Sequence, residues 1–239
     1  MKRSLRATLC AGLAAAMPVL AAGELECAAD APLSSPLRLE YGVTASRWMI
    51  SLSGNGAIVY QRKGDAYTLE SSLKALGIFE AHQSSAGTVS AAGLVPRTFT
   101  QRSNRRPTQS VDFDWTARRV TFSPAGQSAP TQPQMQDRLS VLMQLAWRHH
   151  AEPGAGTIEL PVAGHRSASN FVFNAQGRET LTLPVGRIEA VKFEQQKQER
   201  DDTLDVWLAP SLCSLPVRVR FADDRGVVIE QQLRAVHPL

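Results

Sequence analysis

The chain has 239 residues, 43% of them hydrophobic and 20% charged. That apolar share is enough for a core and excludes a disordered chain. The formal charge of +4 includes Lys2, Arg3 and Arg6; without them 23 basic residues face 22 acidic ones, a balance of +1, so the high isoelectric point is no footprint of a folded domain and nucleic acid is set aside as a partner.

Lys2, Arg3 and Arg6 precede an uncharged apolar run from Ala7 to Ala22, the plan of a secretory signal peptide. The run is about 16 residues, short of the roughly 20 that span a bilayer. Small residues at Ala21 and Gly23 place cleavage after one or the other. Residues 1–23 therefore read as a signal peptide and 24–239 as a single all-β domain, located in the periplasm. A lipoprotein reading is weaker, because Cys10 lies within the run and Cys27 follows Glu26. No later stretch approaches a transmembrane span.

Cys10 leaves with the leader, so Cys27 and Cys213 remain in an oxidising compartment, where two cysteines are more often a disulfide than two free thiols. A bridge would tie the mature N-terminus to the C-terminal strands. A buried free thiol is the alternative. Nothing adjacent to Cys213 supplies the cation or helix N-terminus that a catalytic thiolate needs, and the pair lacks the spacing of a zinc site.

Apolar residues then alternate: Leu37, Leu39, Tyr41 and Val43; Tyr67 and Leu69; Val111, Phe113 and Trp115; Phe171 and Phe173; Ile188 and Ala190; Val217, Val219 and Phe221; Val227 and Ile229. A period of two in successive segments, punctuated by "SGNG" (53–56), "NAQG" (174–177) and "DDRG" (223–226), predicts antiparallel strands joined by hairpins. Ser123 to Gln136, rich in Pro, Ser and Gln, reads as a loop. The fold class that follows is mainly β: a large curved antiparallel sheet or partly open barrel of about a dozen strands.

One segment breaks the alternation. In "DRLSVLMQLAW" (137–147) Leu139, Leu142, Met143 and Ala146 form a stripe at helical spacing, Asp137 can cap the start, and His149 and His150 lie at the end, where cations suit the dipole. This predicts one short amphipathic helix. If the sheet curls around it, the helix plugs the interior; if it lies on the rim, a pocket stays open.

The segments "GLVPRTFTQRS" (93–103), "DRLSVLMQLAW", "ETLTLPVGRIEAVKFE" (179–194) and "VWLAPSLCSLPVRVRF" (206–221) resemble successive blocks of a bacterial exported family, domain of unknown function 3108, in order from about Leu37 to Val236. The resemblance implies a bacterial envelope protein. The family has no established activity, cofactor or catalytic residue to carry over, and Cys213 is not one of its regular positions.

The search for chemistry is mostly negative. No G-x-S-x-G elbow, H-E-x-x-H pair or P-loop occurs. His149, His150 and Glu152 read as a solvated helix end before a metal site, His165 and Arg166 as a turn, Asp223 and Asp224 as turn formers; no metal, cofactor or catalytic residue is expected. Arg97, Arg102, Arg105 and Arg106 fall within ten residues, with Arg102, Arg105 and Arg106 near a hairpin tip, and are the candidate anion-binding set; a solvated edge-protecting loop is the plainer reading. The expected function is a non-enzymatic binding or carrier protein for an apolar or amphipathic envelope molecule such as a lipid. The alternatives are a structural or assembly partner of another envelope protein through a strand edge or sheet face and, third, an unrecognised hydrolase.

Overall fold

The computed structural model describes residues 27, 32–75, 79–104, 106–197 and 202–239. The leader expected over residues 1–23 lies outside them, as does Arg105.

The first part of the chain is a run of hairpins: β1 (Leu37–Arg47), β2 (Ile50–Lys63), β3 (Ala66–Ala75), β4 (Phe79–Ser90), β5 (Gly93–Ser103), β6 (Arg106–Asp114), β7 (Arg119–Ser123) and β8 (Gln127–Pro130). A short strand, β9 (Gln136–Asp137), leads into α1 (Ser140–Ala151). The second run is β10 (Thr157–Ala163), β11 (Ala168–Leu183), β12 (Gly186–Gln195), β13 (Thr203–Ala209), β14 (Leu215–Ala222) and β15 (Val227–Pro238). Among the described residues these fifteen strands form one sheet, ordered β8-β7-β6-β5-β4-β3-β2-β1-β15-β14-β13-β12-β11-β10-β9. Pairing of β1 with β15 joins the two runs, and only β9 against β10 is parallel. The sheet curves without closing: α1 touches β5 on one arm and β9, β10, β13 and β14 on the other.

The period-two residues form the inner face, where Leu39, Tyr41, Ile58, Tyr60, Tyr67, Leu69, Phe99, Val120 and Phe122 are all buried. Buried hydroxyls find partners, as an apolar core requires: Tyr41 donates to the Pro216 carbonyl at 2.8 Å and Tyr60 to that of Leu33 at 3.0 Å. Cys27 and Cys213 are disulfide-bonded with Cα atoms 5.2 Å apart, fastening the chain ahead of β1 to the β13–β14 connection.

The helix answers the question of plug or rim. Every residue from Ser140 to Ala146 is buried, so the single stripe read from the sequence understates it: α1 is enclosed by both arms of the sheet. It also begins later than 137, because Asp137 belongs to β9 and caps from outside. Asp137 Oδ1 accepts from the backbone N–H groups of Leu139 and Ser140, both at 2.8 Å, and Oδ2 accepts from the Ser85 hydroxyl at 2.6 Å. Gln144 fixes the other side. Its Oε1 accepts from Leu94 N at 2.7 Å and its Nε2 donates to the Ala92 carbonyl at 2.8 Å, binding α1 to the β4–β5 turn.

Three sequence expectations are corrected. "SGNG" is no turn but lies within β2, where a Cβ on Gly54 would stand 2.0 Å from the Lys74 carbonyl oxygen; its glycines let β2 and β3 approach closely. "NAQG" lies within β11, where the register shifts between Ala175 and Arg178, a bulge rather than a hairpin. The loop over 123–136 holds β8 and the start of β9. "DDRG" is a turn as read, with Asp223 Oδ1 accepting from Arg225 N and Val227 N.

Candidate functional site

The length of α1 sets what stays uncovered. Twelve residues give a helix of about 18 Å, whereas the eleven of β1 extend about 36 Å. The side-chain bonds of α1 and its cap to the sheet go to Ser85, midway along β4, to Ala92 and Leu94 at the β4–β5 turn, and to Ser214 before β14. The end of the sheet carrying those two turns is called lower here, and the end carrying the β1–β2 and β14–β15 turns upper. Its anchors place α1 in the lower part of the curl.

Paired residues of neighbouring strands share a face, so the register orders the inner wall into rows. One row runs Val43, Gln231, Val219, Val206 and Phe193 across β1, β15, β14, β13 and β12; its four apolar members are buried. The next row up is Leu52, Ala45, Ile229, Phe221 and Leu204, and every one is half-exposed. Above it stand Ile50, Arg47 and Val227, with Ile50 67% exposed. The concave wall therefore passes from a sealed core to an open apolar mouth within two rows. Beyond the mouth, Trp48 and Met49 form the β1–β2 turn, 84% and 99% exposed.

Polar groups punctuate the mouth. The amide oxygens of Gln231 and Gln195, both on inner-face positions, are buried without a hydrogen-bond partner among the described residues. Arg138, just ahead of α1, lies 5.7 Å over the Phe221 ring and pairs with Asp202 at 3.2 Å. Arg47 stacks over Trp48 at 4.8 Å.

The anion-binding candidates are not gathered in this mouth. Arg97 sits where β5 bulges against β4, and Arg102 pairs with His82 on the convex face, since Gln101 and Gln83 occupy the inner positions beside them. Both side chains are exposed. Arg106 stands opposite Ser103 in β6, and Arg105 is outside the described residues. Arg102 does line an open hollow of about 410 Å³ with Glu80, His82, Ser103 and Asn104. The Glu80 carboxylate there already holds Lys74 at 2.8 Å and His82 at 3.0 Å, which lower its pKa.

A second hollow of about 380 Å³ on the same face is lined by Asn174, Glu194, Asp205 and Arg220 among others. Burial raises the Asp205 carboxyl, with Arg220 3.4 Å away. Among the described residues no group of three His, Cys, Asp or Glu could hold a metal.

His149 corrects the expectation of a solvated, cationic helix end. It is buried, its ring meets Phe193 edge-on at 5.3 Å, and its Nδ1 lies 2.9 Å from the Ser214 hydroxyl. Burial, and then the charges of His150 and Arg178, lower its pKa and hold it neutral. The His149–Ser214 contact has the form of a base and a hydroxyl nucleophile. Ser214 is 2% exposed, and no carboxylate among the described residues hydrogen-bonds the ring, so the pair is closed to solvent and lacks a third group to orient the base.

Sequence reading missed the mouth residues. The hairpin tip above them did leave a signal in "RWMI" (47–50), an arginine and three apolar residues with no turn former between two alternating segments. Trp48 takes φ +54°, where hairpin turns favour glycine or asparagine, which is why no turn was read there.

Among solved structures, the chain is similar to a beta-barrel-like protein of domain of unknown function DUF1849 from Brucella abortus, with a TM-score of 0.55 at 9% identity over 86% of this chain and 98% of that one. That likeness shows a shared fold and nothing of activity. A putative outer membrane lipoprotein-sorting protein domain from Vibrio parahaemolyticus (TM-score 0.29, 8% identity, 88% and 87% coverage) and a DUF1329 family protein from Desulfovibrio piger (0.26, 9%, 86% and 86%) score too low to carry an argument. No curated protein matches the chain. The family model described as "Protein of unknown function (DUF3108)" matches residues 38–232, from β1 into β15, and the chain belongs to that family.

Proposed function

We propose that this chain is a non-enzymatic, exported binding protein that holds an apolar or amphipathic envelope molecule against the upper part of its concave wall. One observation carries the reading: Leu52, Ile229, Phe221 and Leu204 form a contiguous half-exposed row on the face that is otherwise core. Apolar surface left open in a concavity is the usual mark of a ligand site. The lower interior is filled by α1, so the ligand would lie in an open mouth rather than an enclosed cavity. Arg47 and Arg138 suit a headgroup near the rim. The leader pattern at residues 1–23 and the Cys27–Cys213 bond support export. Anion binding by Arg97 or Arg102 would take place apart from this mouth.

Strand addition to a partner gains less support, since the strands that end the sheet, β8 and β9, have four and two residues. The test is the mass of the secreted protein under native and then denaturing conditions. Extra native mass that is lost on denaturation and extracts into organic solvent supports the proposal; a bare polypeptide that also takes up no added lysophospholipid contradicts it.

A further inference from the structure

We infer that the β1–β2 hairpin tip, Trp48–Met49–Ile50, is a membrane-docking element that inserts into the zwitterionic interface of a bilayer and sets the mouth against the lipid. The inference extends the reading above, yet the two can fail separately.

The tip breaks the rules that govern soluble hairpins. Two-residue turns between strands favour Asn-Gly or similar pairs, for positive φ and for solvation. Here Trp48 adopts φ +54° and is 84% exposed, Met49 is 99% exposed and Ile50 67%. These three are the most exposed large hydrophobic side chains inside the described chain, apart from its C-terminal residue. On one side, among the described residues, the β2–β3 register begins only at Gly54, leaving Ile50 to Ser53 without a β3 partner. The apolar residues thus lie open at the end of the hairpin.

Four observations favour a lipid surface over a protein. Trp, followed by apolar side chains and flanked by Arg47, has the composition of a residue set that settles at the headgroup boundary. Only three large side chains are offered, against roughly 20–30 residues a side in a stable protein complex. The charges around the tip balance: Arg47 lies over Trp48, Arg225 is 3.9 Å from Asp224, and Asp223 is engaged by its own turn. Zwitterionic lipid is therefore the expected surface, with no requirement for anionic headgroups. Finally, Ile50 and Arg47 share the inner face with Leu52, Ala45 and Ile229, so the apolar strip is continuous from tip to mouth. A molecule leaving a bilayer along that strip would stay in contact with apolar surface.

The discriminating variant is Trp48→Gly with Met49→Asn, which puts glycine at the one turn position with positive φ and a polar residue after it, and should fold at least as stably as the parent. The assay is flotation of the secreted protein with phosphatidylcholine vesicles, together with quenching of tryptophan emission by brominated phosphatidylcholine. Trp48 is the exposed one of the four tryptophans, so its signal can be resolved. The parent should float and be quenched, and the variant should lose about tenfold or more in partitioning with an unchanged or higher melting temperature. Three results would overturn the inference: no flotation of the parent, equal flotation of the variant, or binding that needs anionic lipid and vanishes in about 0.5 M salt. In vesicle-free solution the variant should keep the parent's affinity for lysophospholipid. Loss of that affinity by a Leu52→Asn/Ile229→Asn variant that still floats would separate mouth from tip.

Discussion

Substituting Gly93 by alanine tests the claim that α1 is locked into the curl by contacts with the β4–β5 turn. Gly93 has φ +97°, and a Cβ there would stand 2.3 Å from Gln144 Oε1 and 2.6 Å from its Nε2. The methyl group must displace the Gln144 amide, which is fully buried and holds Leu94 N and the Ala92 carbonyl. Leaving buried amide groups unpaired costs about 1–3 kcal/mol each, and a side chain at positive φ adds about 1–2 kcal/mol. With the Leu94 N–H and the Ala92 carbonyl both unpaired the sum is about 3–8 kcal/mol, a large part of the roughly 5–15 kcal/mol that stabilises a typical domain. Gly64→Ala is the control, because Gly64 has φ +60° with nothing within 4 Å, so only the backbone cost of about 1–2 kcal/mol remains. Urea unfolding followed by circular dichroism would give all the values. Adding Gln144→Ala should relieve part of the Gly93→Ala loss, a coupling of about 1–2 kcal/mol in a double-mutant cycle. A Gly93→Ala loss no larger than the Gly64 control, or a strictly additive cycle, would refute the reasoning.

Other outcomes follow from the same geometry. Leu52→Asn and Ile229→Asn each remove about 60 Å² of wall, or about 1.5 kcal/mol at 25 cal/mol per Å², so each should weaken binding of N-phenyl-1-naphthylamine about tenfold. Unfolding free energy should move by less than about 1 kcal/mol, since neither side chain is core. His149 has a folded pKa lowered by burial from its ordinary 6.5, so the stability it contributes is present above that value and is lost as pH falls through the folded pKa. Unfolding free energy should drop on acidification below pH 6.5 by up to about 1.4 kcal/mol per pH unit, and His149→Gln should flatten that slope. A double Cys27→Ser/Cys213→Ser variant opens a link spanning 186 residues. It should lose about 2–4 kcal/mol, below the roughly 5 kcal/mol of the chain-entropy model, as measured by denaturant unfolding.

Legibility in the sequence followed the strength of each local signal. Alternation from Leu37 to Val43 and from Val217 to Phe221 marked inner-face positions directly, because a strand's faces alternate with period two whatever it packs against. Asp137 could be read as a cap because an Asp ahead of an apolar stripe does that job locally, though its offset depended on β9. The glycines of 53–56 and 174–177 misled, since glycine serves close strand approach and bulges as well as turns, and only the neighbouring strand decides which. The mouth was not legible at all. Leu52, Phe221 and Ile229 look like every other inner-face residue, and their exposure arises from a helix about half as long as the strands around it. The arginines show the converse: closeness in sequence put Arg97 and Arg102 in one cluster, while a bulge and the strand's alternation placed them apart from the concave wall.

The central claim is where a ligand lies, and the most direct measurement is an amide-shift map of isotope-labelled protein titrated with a lysophospholipid. The account predicts saturable shifts concentrated at Ala45, Leu52, Leu204, Phe221 and Ile229, with α1 and the strand around Arg102 unmoved. Shifts confined to the convex face around Arg102 or Asp205, or none that saturate, would contradict it.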